Sequence, residues 1–150
     1  MITNVTNETK YDNDGRVVSE WIKLGNLAQK QLCQLAYDEK DLISVKYQGG
    51  GTVNHLQKID YEYLDNQALH KVNNGHASGL DLFGYQLNYN TDFQGWNPGV
   101  NQKNGNIKST SWQNAGSDIY VQHYTYDFLN RLTEVKTDQD EKLVGYQIRN

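Results

Sequence analysis

Alternating apolar and polar positions divide much of the chain into short strands separated by turn residues, and the stretch that begins at Tyr124 shows this most completely. Tyr124 and Tyr126 are two positions apart, so their side chains share one face of a strand. Asp127 suits the first position of a type I turn. Asn130 falls where a three-residue hairpin loop requires positive φ. The pattern therefore predicts a strand, a tight turn and a return strand over 131–136.

The same unit occurs upstream at a fixed spacing. Tyr11, Tyr37 and Tyr63 follow one another at intervals of 26 residues. The fourth residue after each of these tyrosines, and after Tyr126, is predicted to have positive φ: Gly15, Asp41, Gln67 and Asn130. The sixth residue is always aliphatic: Val17, Ile43, Leu69 and Leu132. A fixed period with the same chemistry in each copy indicates a repeat.

The repeat predicts an all-β fold in which antiparallel β-hairpins form a ribbon-like, spiralling sheet. One domain is expected over residues 1–150, with units near 5–30, 31–56 and 57–75, an insertion at 76–118 and a last unit at 119–148. The insertion is inferred because Tyr63 and Tyr126 are 63 residues apart, so the spacing of 26 breaks between them.

The segment 24–36 fits either an amphipathic helix or a strand. We favour the strand, because Cys33, Leu35 and Tyr37 alternate and lead into the second unit. Cys33 is then expected to be a small, buried or half-buried side chain, since no neighbouring base is present to activate its thiol. The three glycines at 49–51 lack the Lys-Ser/Thr of a phosphate-binding loop and predict a flexible hairpin tip.

The insertion contains a strand with one aromatic face. Four apolar side chains alternate strictly with polar ones there: Phe83, Tyr85, Leu87 and Tyr89. The polar loop 91–103 follows, and its Trp96 is the aromatic residue for which we expect contact with a ligand, because an exposed Trp ring in a polar loop is unusual. Residues 137–142 predict a charged turn and 143–148 a further strand.

Composition excludes several classes of protein. The net charge is −4 and the basic residues are scattered, so no nucleic-acid partner is expected. The single cysteine excludes an internal disulfide. No apolar stretch reaches membrane-spanning length, and residues 1–4 have neither the basic nor the apolar run of a signal peptide. Only 37% of the residues are hydrophobic, which predicts a thin core with much of its area supplied by tyrosine.

No constellation of catalytic or metal-ligating residues is visible, and no cofactor is expected. The four histidines are dispersed and none lies at metal-ligand spacing from another: His55, His70, His76 and His123. Most carboxylates fall in turns, where they can accept backbone N–H bonds. The sequence therefore predicts a protein that is not an enzyme.

These motifs are similar to those of one protein family. The Tyr-Asp-x-x-Gly-Arg pattern comprises Tyr11, Asp12, Gly15 and Arg16, and it is echoed by Tyr126, Asp127, Asn130 and Arg131. It resembles the RHS or YD repeat. The Leu82-Phe83-Gly84-Tyr85 and Asn104-Gly105-Asn106-Ile107 segments resemble RHS-repeat core proteins of Bacteroidetes-type bacteria. Two copies depart from the motif, because Tyr37 and Asp38 are not followed by Gly-Arg and because Tyr61 and Tyr63 are not followed by Asp.

The resemblance implies a β-ribbon that spirals into a hollow shell. In toxin complexes and polymorphic toxins of the family, such a shell encloses a C-terminal toxin. The chain is then expected to be a segment of a longer secreted or cell-surface protein, with the rest of the array and an enclosed effector as its partners. No residue matches the family's catalytic positions, so none is assigned.

Three hypotheses from different classes follow. The first is a structural shell segment, and the second is a surface module that binds a glycan or a protein through its aromatic side chains. The third is an enzyme, which nothing in the sequence favours. A short array also leaves unpaired strand edges, so the chain is expected to self-associate through them.

Overall fold

Antiparallel hairpins follow one another in chain order throughout the described part of the protein. The computed structural model describes residues 4–90, 104–139 and 142–147, with the backbone alone for 138, 139 and 142–147. It divides into two compact units, 1–61 and 62–150. The prediction of an all-β fold built from antiparallel hairpins is confirmed.

In the first unit each strand pairs with the next one along the chain. The strands are β1 (Val5–Tyr11), β2 (Val17–Leu24), β3 (Lys30–Tyr37), β4 (Ile43–Gln48) and β5 (Gln57–Tyr63). Residues 30–37 are therefore a strand, as the alternation around Cys33 predicts. Cys33 itself is buried, with 4% of its surface exposed, and burial raises the pKa of its thiol.

The second unit has the same arrangement. Its strands are β6 (Leu69–Val72), β7 (Phe83–Asn88), β8 (Ser109–Asn114), β9 (Tyr120–Tyr126), β10 (Leu132–Gln139) and β11 (Lys142–Gln147). A 3-10 turn, Asn73–Gly75, lies between β6 and β7. The predicted charged turn at 137–142 is shorter than expected, because β10 continues to Gln139 and β11 already begins at Lys142.

The core is thin and partly polar. Among the described residues, Cys33 and Val72 are the hydrophobic side chains that are buried. In the second unit small polar residues of β7 and β8 are buried instead, and Asn88, Ser109 and Ser111 are each 1% exposed or less. Asn88 donates to the Ser109 hydroxyl at 3.2 Å. The described tyrosines are half-buried, apart from the exposed Tyr11, so close packing of small side chains contributes more to the interior than the sequence indicates.

The glycine-rich loop between β4 and β5 is folded tightly upon itself. Gly50 is buried, and a Cβ atom placed on it would lie 1.7 Å from the carbonyl oxygen of Asn54. His55 Nδ1 lies 3.1 Å from the carbonyl oxygen of Gly51, and the His55 ring packs against Tyr47 with a centroid separation of 5.0 Å. The glycines thus allow close backbone approach in a packed loop at the predicted hairpin tip.

Candidate functional site

The turn after Tyr11 shows why the repeat requires an aspartate at its start. Oδ1 of Asp12 accepts the backbone N–H groups of Asp14 at 3.0 Å and Arg16 at 2.9 Å. The backbone N–H of Asp12 donates to the Arg16 carbonyl at 2.9 Å, and that of Gly15 donates to the Asp12 carbonyl at 3.2 Å. One carboxylate thereby satisfies two N–H groups that the tight turn leaves without backbone partners.

The arginine that ends the motif fixes the second carboxylate oxygen. Nε of Arg16 donates to Oδ2 of Asp12 at 2.7 Å. Nε of Arg131 donates to Oδ2 of Asp127 at the same distance, 2.7 Å. Because the Nε–H is charged and its direction is set by the planar guanidinium, this contact orients the carboxylate toward the turn. The two copies that carry both Asp and Arg therefore form the same closed ring of hydrogen bonds.

The other copies keep the backbone turn although their side chains differ from the motif. Asp38 accepts the N–H groups of Lys40 and Leu42, each at 2.9 Å, although no arginine follows it. Leu64 occupies the aspartate position of the third copy, where its N–H donates to the Ala68 carbonyl at 2.9 Å. There Asn66 Oδ1 accepts the Ala68 N–H at 3.1 Å. The turn therefore survives the departures from the motif that the sequence shows.

The left-handed position of each turn is confirmed by the backbone angles. Its φ is 83° at Gly15, 63° at Asp41, 67° at Gln67 and 63° at Asn130. The return strand then begins at the aliphatic residue two positions later in every copy, as β2, β4, β6 and β10 do. Three of these hairpins also share a β-bulge one residue into the return strand, at Val18, Ser44 and Thr133.

Tyr37 and Tyr126 each join their own hairpin to the hairpin before it. The Tyr37 hydroxyl donates to the carbonyl of Val17, the first residue of β2, at 2.7 Å. The Tyr126 hydroxyl donates to the Ile107 carbonyl at 2.8 Å. A phenol at this position therefore satisfies a carbonyl at the first residue of β2, or two residues before β8.

Tyr89 has the same role, which the sequence analysis missed. Its hydroxyl donates to the carbonyl of Leu69, the first residue of β6, at 3.0 Å. Tyr89 lies 26 residues after Tyr63. The 26-residue period therefore includes one more tyrosine than the sequence analysis identified. The spacing itself was the available signal, but Asn90 stands where the motif has aspartate, and this concealed the copy.

Neighbouring turns are also joined through their side chains. The Arg16 guanidinium lies over the Tyr37 ring, with its central carbon 4.8 Å from the ring centroid. Nη1 of Arg16 also donates to Asp41, which is the left-handed residue of the next turn. In the second unit Asn104 donates to Asn130, which again is the left-handed residue of the next turn. Arg16 therefore contacts its own turn and the next one at once.

The electrostatics agree with this structural role. Hydrogen bonds from the Arg16 backbone, and then from its side chain, hold the pKa of Asp12 below its ordinary value. The Arg131 backbone and side chain lower the pKa of Asp127 in the same way. Burial raises the pKa of Tyr89 and Tyr126, with a smaller contribution from a neighbouring tyrosine in each case. The lowered pKa keeps each aspartate ionised as a hydrogen-bond acceptor, and the raised pKa keeps each tyrosine protonated as a donor.

Two candidate residues remain, one in a strand and one outside the described chain. Tyr61 is a half-buried residue of β5, and Trp96 lies outside the described residues. Across 4–90, 104–139 and 142–147, no three side chains of His, Cys, Asp or Glu lie close enough together to hold a metal ion. His70 Nδ1, for example, lies 2.9 Å from the Leu87 carbonyl. In the same ranges, no helix is long and apolar enough to cross a bilayer.

An aromatic stripe crosses three strands of the second unit. Trp112 of β8 is the cross-strand partner of Tyr85 on one side and of Tyr120 on the other. The Trp112 and Tyr120 rings are stacked, with centroids 5.6 Å apart and planes inclined by 15°. Phe83, which is 39% exposed, extends the stripe with its ring 5.7 Å from that of Tyr85. The half-buried rings of Tyr85, Trp112 and Tyr120 and the exposed ring of Phe83 together form one aromatic surface.

Comparison with known proteins gives a likeness of fold at low identity. No family model and no curated protein matches the chain. Among solved structures, one titled "Crystal Structure of TcdB2-TccC3-Cdc42" is similar over 95% of this chain, with 13% identity and a TM-score of 0.48. The chain spans only about 9% of the length of that protein chain. Membership of the RHS or YD-repeat family therefore stays a prediction, carried by the motif residues and their turns.

Proposed function

We propose that the protein is a non-catalytic structural segment of an RHS-type shell that encloses or presents a C-terminal toxin or effector. The parent protein would be a secreted or cell-surface bacterial protein. The observation that supports this proposal is the hydroxyl bond from Tyr37, Tyr89 and Tyr126 to the preceding hairpin, as in the 2.7 Å contact from Tyr37 to Val17. Such contacts serve to stack hairpins in order, which is what the wall of a shell requires.

The carboxylates of the repeat turns are used to hold the turns themselves. Asp12 and Asp127 have their carboxylate oxygens occupied by turn N–H groups and by arginine. A carboxylate bonded in this way is a poor general base, because those bonds lower its pKa. In an array in which each unit contacts its neighbours, stability increases with the number of units, so many copies can build a wall.

The test is to determine the coding sequence on both sides of this segment and to express the resulting protein whole. We expect further Tyr-Asp-x-x-Gly-Arg units and a dissimilar C-terminal region that resists protease until the array is unfolded. Unrelated genes on both sides would overturn the proposal. A C-terminal region that is digested before the array would refute enclosure and leave an open scaffold.

A second candidate function is binding of a glycan through the aromatic stripe. The stacked Trp112 and Tyr120 rings favour it, because the apolar face of a sugar ring packs on flat aromatic groups. Trp112→Ala should then abolish binding on a glycan array, and Phe83→Ala should weaken it. The control is Phe128→Ala, which removes a ring that is 91% exposed and lies outside the stripe. Unchanged binding by Trp112→Ala, with unchanged circular dichroism, would refute this candidate.

A further inference from the structure

The connection between β6 and β7 holds three successive residues in the left-handed region of backbone conformation. Their φ values are 52° at Asn73, 56° at Asn74 and 87° at Gly75, whereas the other positive-φ residues of the described chain each stand alone. L-residues disfavour this conformation, and non-glycine residues held in it cluster at sites with a functional role. Packing holds the turn in place, because Asn73 is 4% exposed and donates from Nδ2 to the Phe83 carbonyl at 2.6 Å.

Asn74 is the exposed member of this turn. It lies between two buried residues, Asn73 and Gly75, and its carboxamide makes no hydrogen bond in the described structure. The glycine after it has no side chain to obstruct the approach of its backbone nitrogen to the Asn74 carboxamide carbon. A Cβ atom placed on Gly75 would first meet flexible side chains, at 3.1 Å from Gln86 Oε1 and 3.6 Å from Lys71 Cδ. Gly75 can therefore shift without displacing the backbone of a neighbouring strand.

A second Asn-Gly pair, Asn104 and Gly105, provides the comparison within the same chain. Its asparagine is also exposed, and its glycine has φ of 91°, close to the 87° of Gly75. The carboxamide of Asn104 is held at both ends, because Oδ1 accepts the N–H of Asn106 at 3.1 Å and Nδ2 donates to Asn130. The two pairs therefore differ in whether the carboxamide is free to rotate toward the following backbone nitrogen.

We propose that Asn74 and Gly75 form a site of spontaneous modification, at which the asparagine is converted to aspartate and isoaspartate. The Gly75 nitrogen forms a bond to Cγ of Asn74, the bond from Cγ to Nδ2 breaks, and ammonia leaves with the proton of the Gly75 amide. Water then opens the five-membered imide. Opening at Cγ gives aspartate, and opening at the backbone carbonyl of Asn74 gives isoaspartate, whose main chain runs through Cγ. Water is the co-reactant of the second step, and no electrons are transferred.

The modification changes both the charge and the geometry of the turn. Either product adds a negative charge, and isoaspartate also lengthens the main chain by a further carbon atom. The buried neighbours Asn73 and Gly75 then cannot both keep their places, so the bond from Asn73 to the Phe83 carbonyl is lost. Isoaspartate is also the group that protein isoaspartyl methyltransferases methylate. The proposal goes beyond the proposed function and does not rest on it, because it requires the turn between β6 and β7 alone.

The experiment incubates the intact chain at mildly alkaline pH and follows both asparagines by peptide mapping in a mass spectrometer, with isoaspartate measured by enzymatic methylation. We expect Asn74 to react at least about 10-fold faster than Asn104, because two hydrogen bonds must break before Asn104 can react. Asn74→Gln should remove most of the isoaspartate signal, since glutamine would have to close a larger ring. Asn130→Gly suits the φ of 63° and removes the acceptor of Asn104, so it should raise the Asn104 rate about 2- to 10-fold.

The same chain unfolded in urea provides the reference. Both carboxamides are free there, so the two rates should become similar. Four results would overturn the proposal: Asn104 reacts as fast as Asn74 in the native chain, the isoaspartate signal persists in Asn74→Gln, Asn74 reacts in urea alone, or Asn130→Gly leaves the Asn104 rate unchanged. None of these results bears on the shell segment, which the flanking coding sequence tests separately.

Discussion

The Tyr126 hydroxyl lies 2.8 Å from the carbonyl oxygen of Ile107, 19 residues earlier in the chain. Tyr37 and Tyr89 make the same bond to residues 20 positions earlier. The bond joins one hairpin to the hairpin before it. The repeat tyrosine therefore acts between hairpins, whereas the aspartate of the motif acts within a turn. This division of roles makes the contribution of each residue separately measurable.

Removing the hydroxyl alone should destabilise the chain. Tyr126→Phe keeps the ring and leaves the Ile107 carbonyl without its donor, so we expect a loss of about 0.5–1.5 kcal/mol in the free energy of unfolding. Urea denaturation followed by circular dichroism measures this. Tyr11→Phe is the matched control, because the exposed Tyr11 makes no such bond, and it should change stability by less than about 0.5 kcal/mol. Equal losses in the two variants would contradict the assigned role.

The left-handed turn position gives a second prediction. Gly15 has φ of 83°, and a Cβ atom added there would meet nothing within 4 Å. Gly15→Ala should therefore cost about 1 kcal/mol of unfolding free energy through backbone strain alone. Gly15→Asn should cost less, because Asn130 occupies the equivalent position with φ of 63°. Denaturation midpoints that rank Asn below Ala would show that φ does not decide the effect.

The turn carboxylates predict loss of stability in acid. The pKa values of Asp12 and Asp127 are lowered by their N–H and arginine partners. A carboxyl with a depressed folded-state pKa stabilises the fold above its unfolded pKa of about 3.9, and this contribution is lost as the pH falls below that value. Asp127→Asn should therefore flatten the decline in stability below about pH 4, measured as the melting temperature against pH. Asp118→Asn is the control, because Asp118 is an exposed residue between β8 and β9 whose carboxylate has no hydrogen bond or ion pair in the described structure. An equally steep decline in Asp127→Asn would contradict the prediction.

Local turn chemistry could be predicted from the sequence because its causes lie within six residues. The positive φ at Asp41 and Gln67 followed from spacing, although Gln is not a residue type that favours that conformation. Contacts between neighbouring hairpins could not be predicted in this way. The position of Arg16 over Tyr37 depends on the register of β2 against β3, which a bulge shifts between Glu20 and Trp21.

The distribution of burial was predicted least well. Strict alternation around Tyr85 correctly indicated a strand, but alternation identifies two faces without stating which of them is covered. In the structure Ser109 and Ser111 are buried, while the aromatic stripe is half-exposed. Small polar side chains carry no hydrophobic signal, so a face that is closely packed by Ser and Asn cannot be recognised from the pattern of apolar residues.

The packed loop between β4 and β5 gives the last prediction, in which neighbouring glycines should behave differently. A Cβ atom on Gly50 would lie 1.7 Å from the backbone oxygen of Asn54 and 2.6 Å from its carbonyl carbon. Backbone at that distance must move, so Gly50→Ala should cost more than about 2 kcal/mol of unfolding free energy. A Cβ atom on Gly51 would meet the side-chain oxygens of Gln31 at 2.7 Å and Gln34 at 2.8 Å. Those are the ends of flexible side chains that can rotate away, so Gly51→Ala should cost less than about 1 kcal/mol. Similar urea midpoints for the two variants would mean that the loop around Gly50 is flexible enough to accommodate either methyl group.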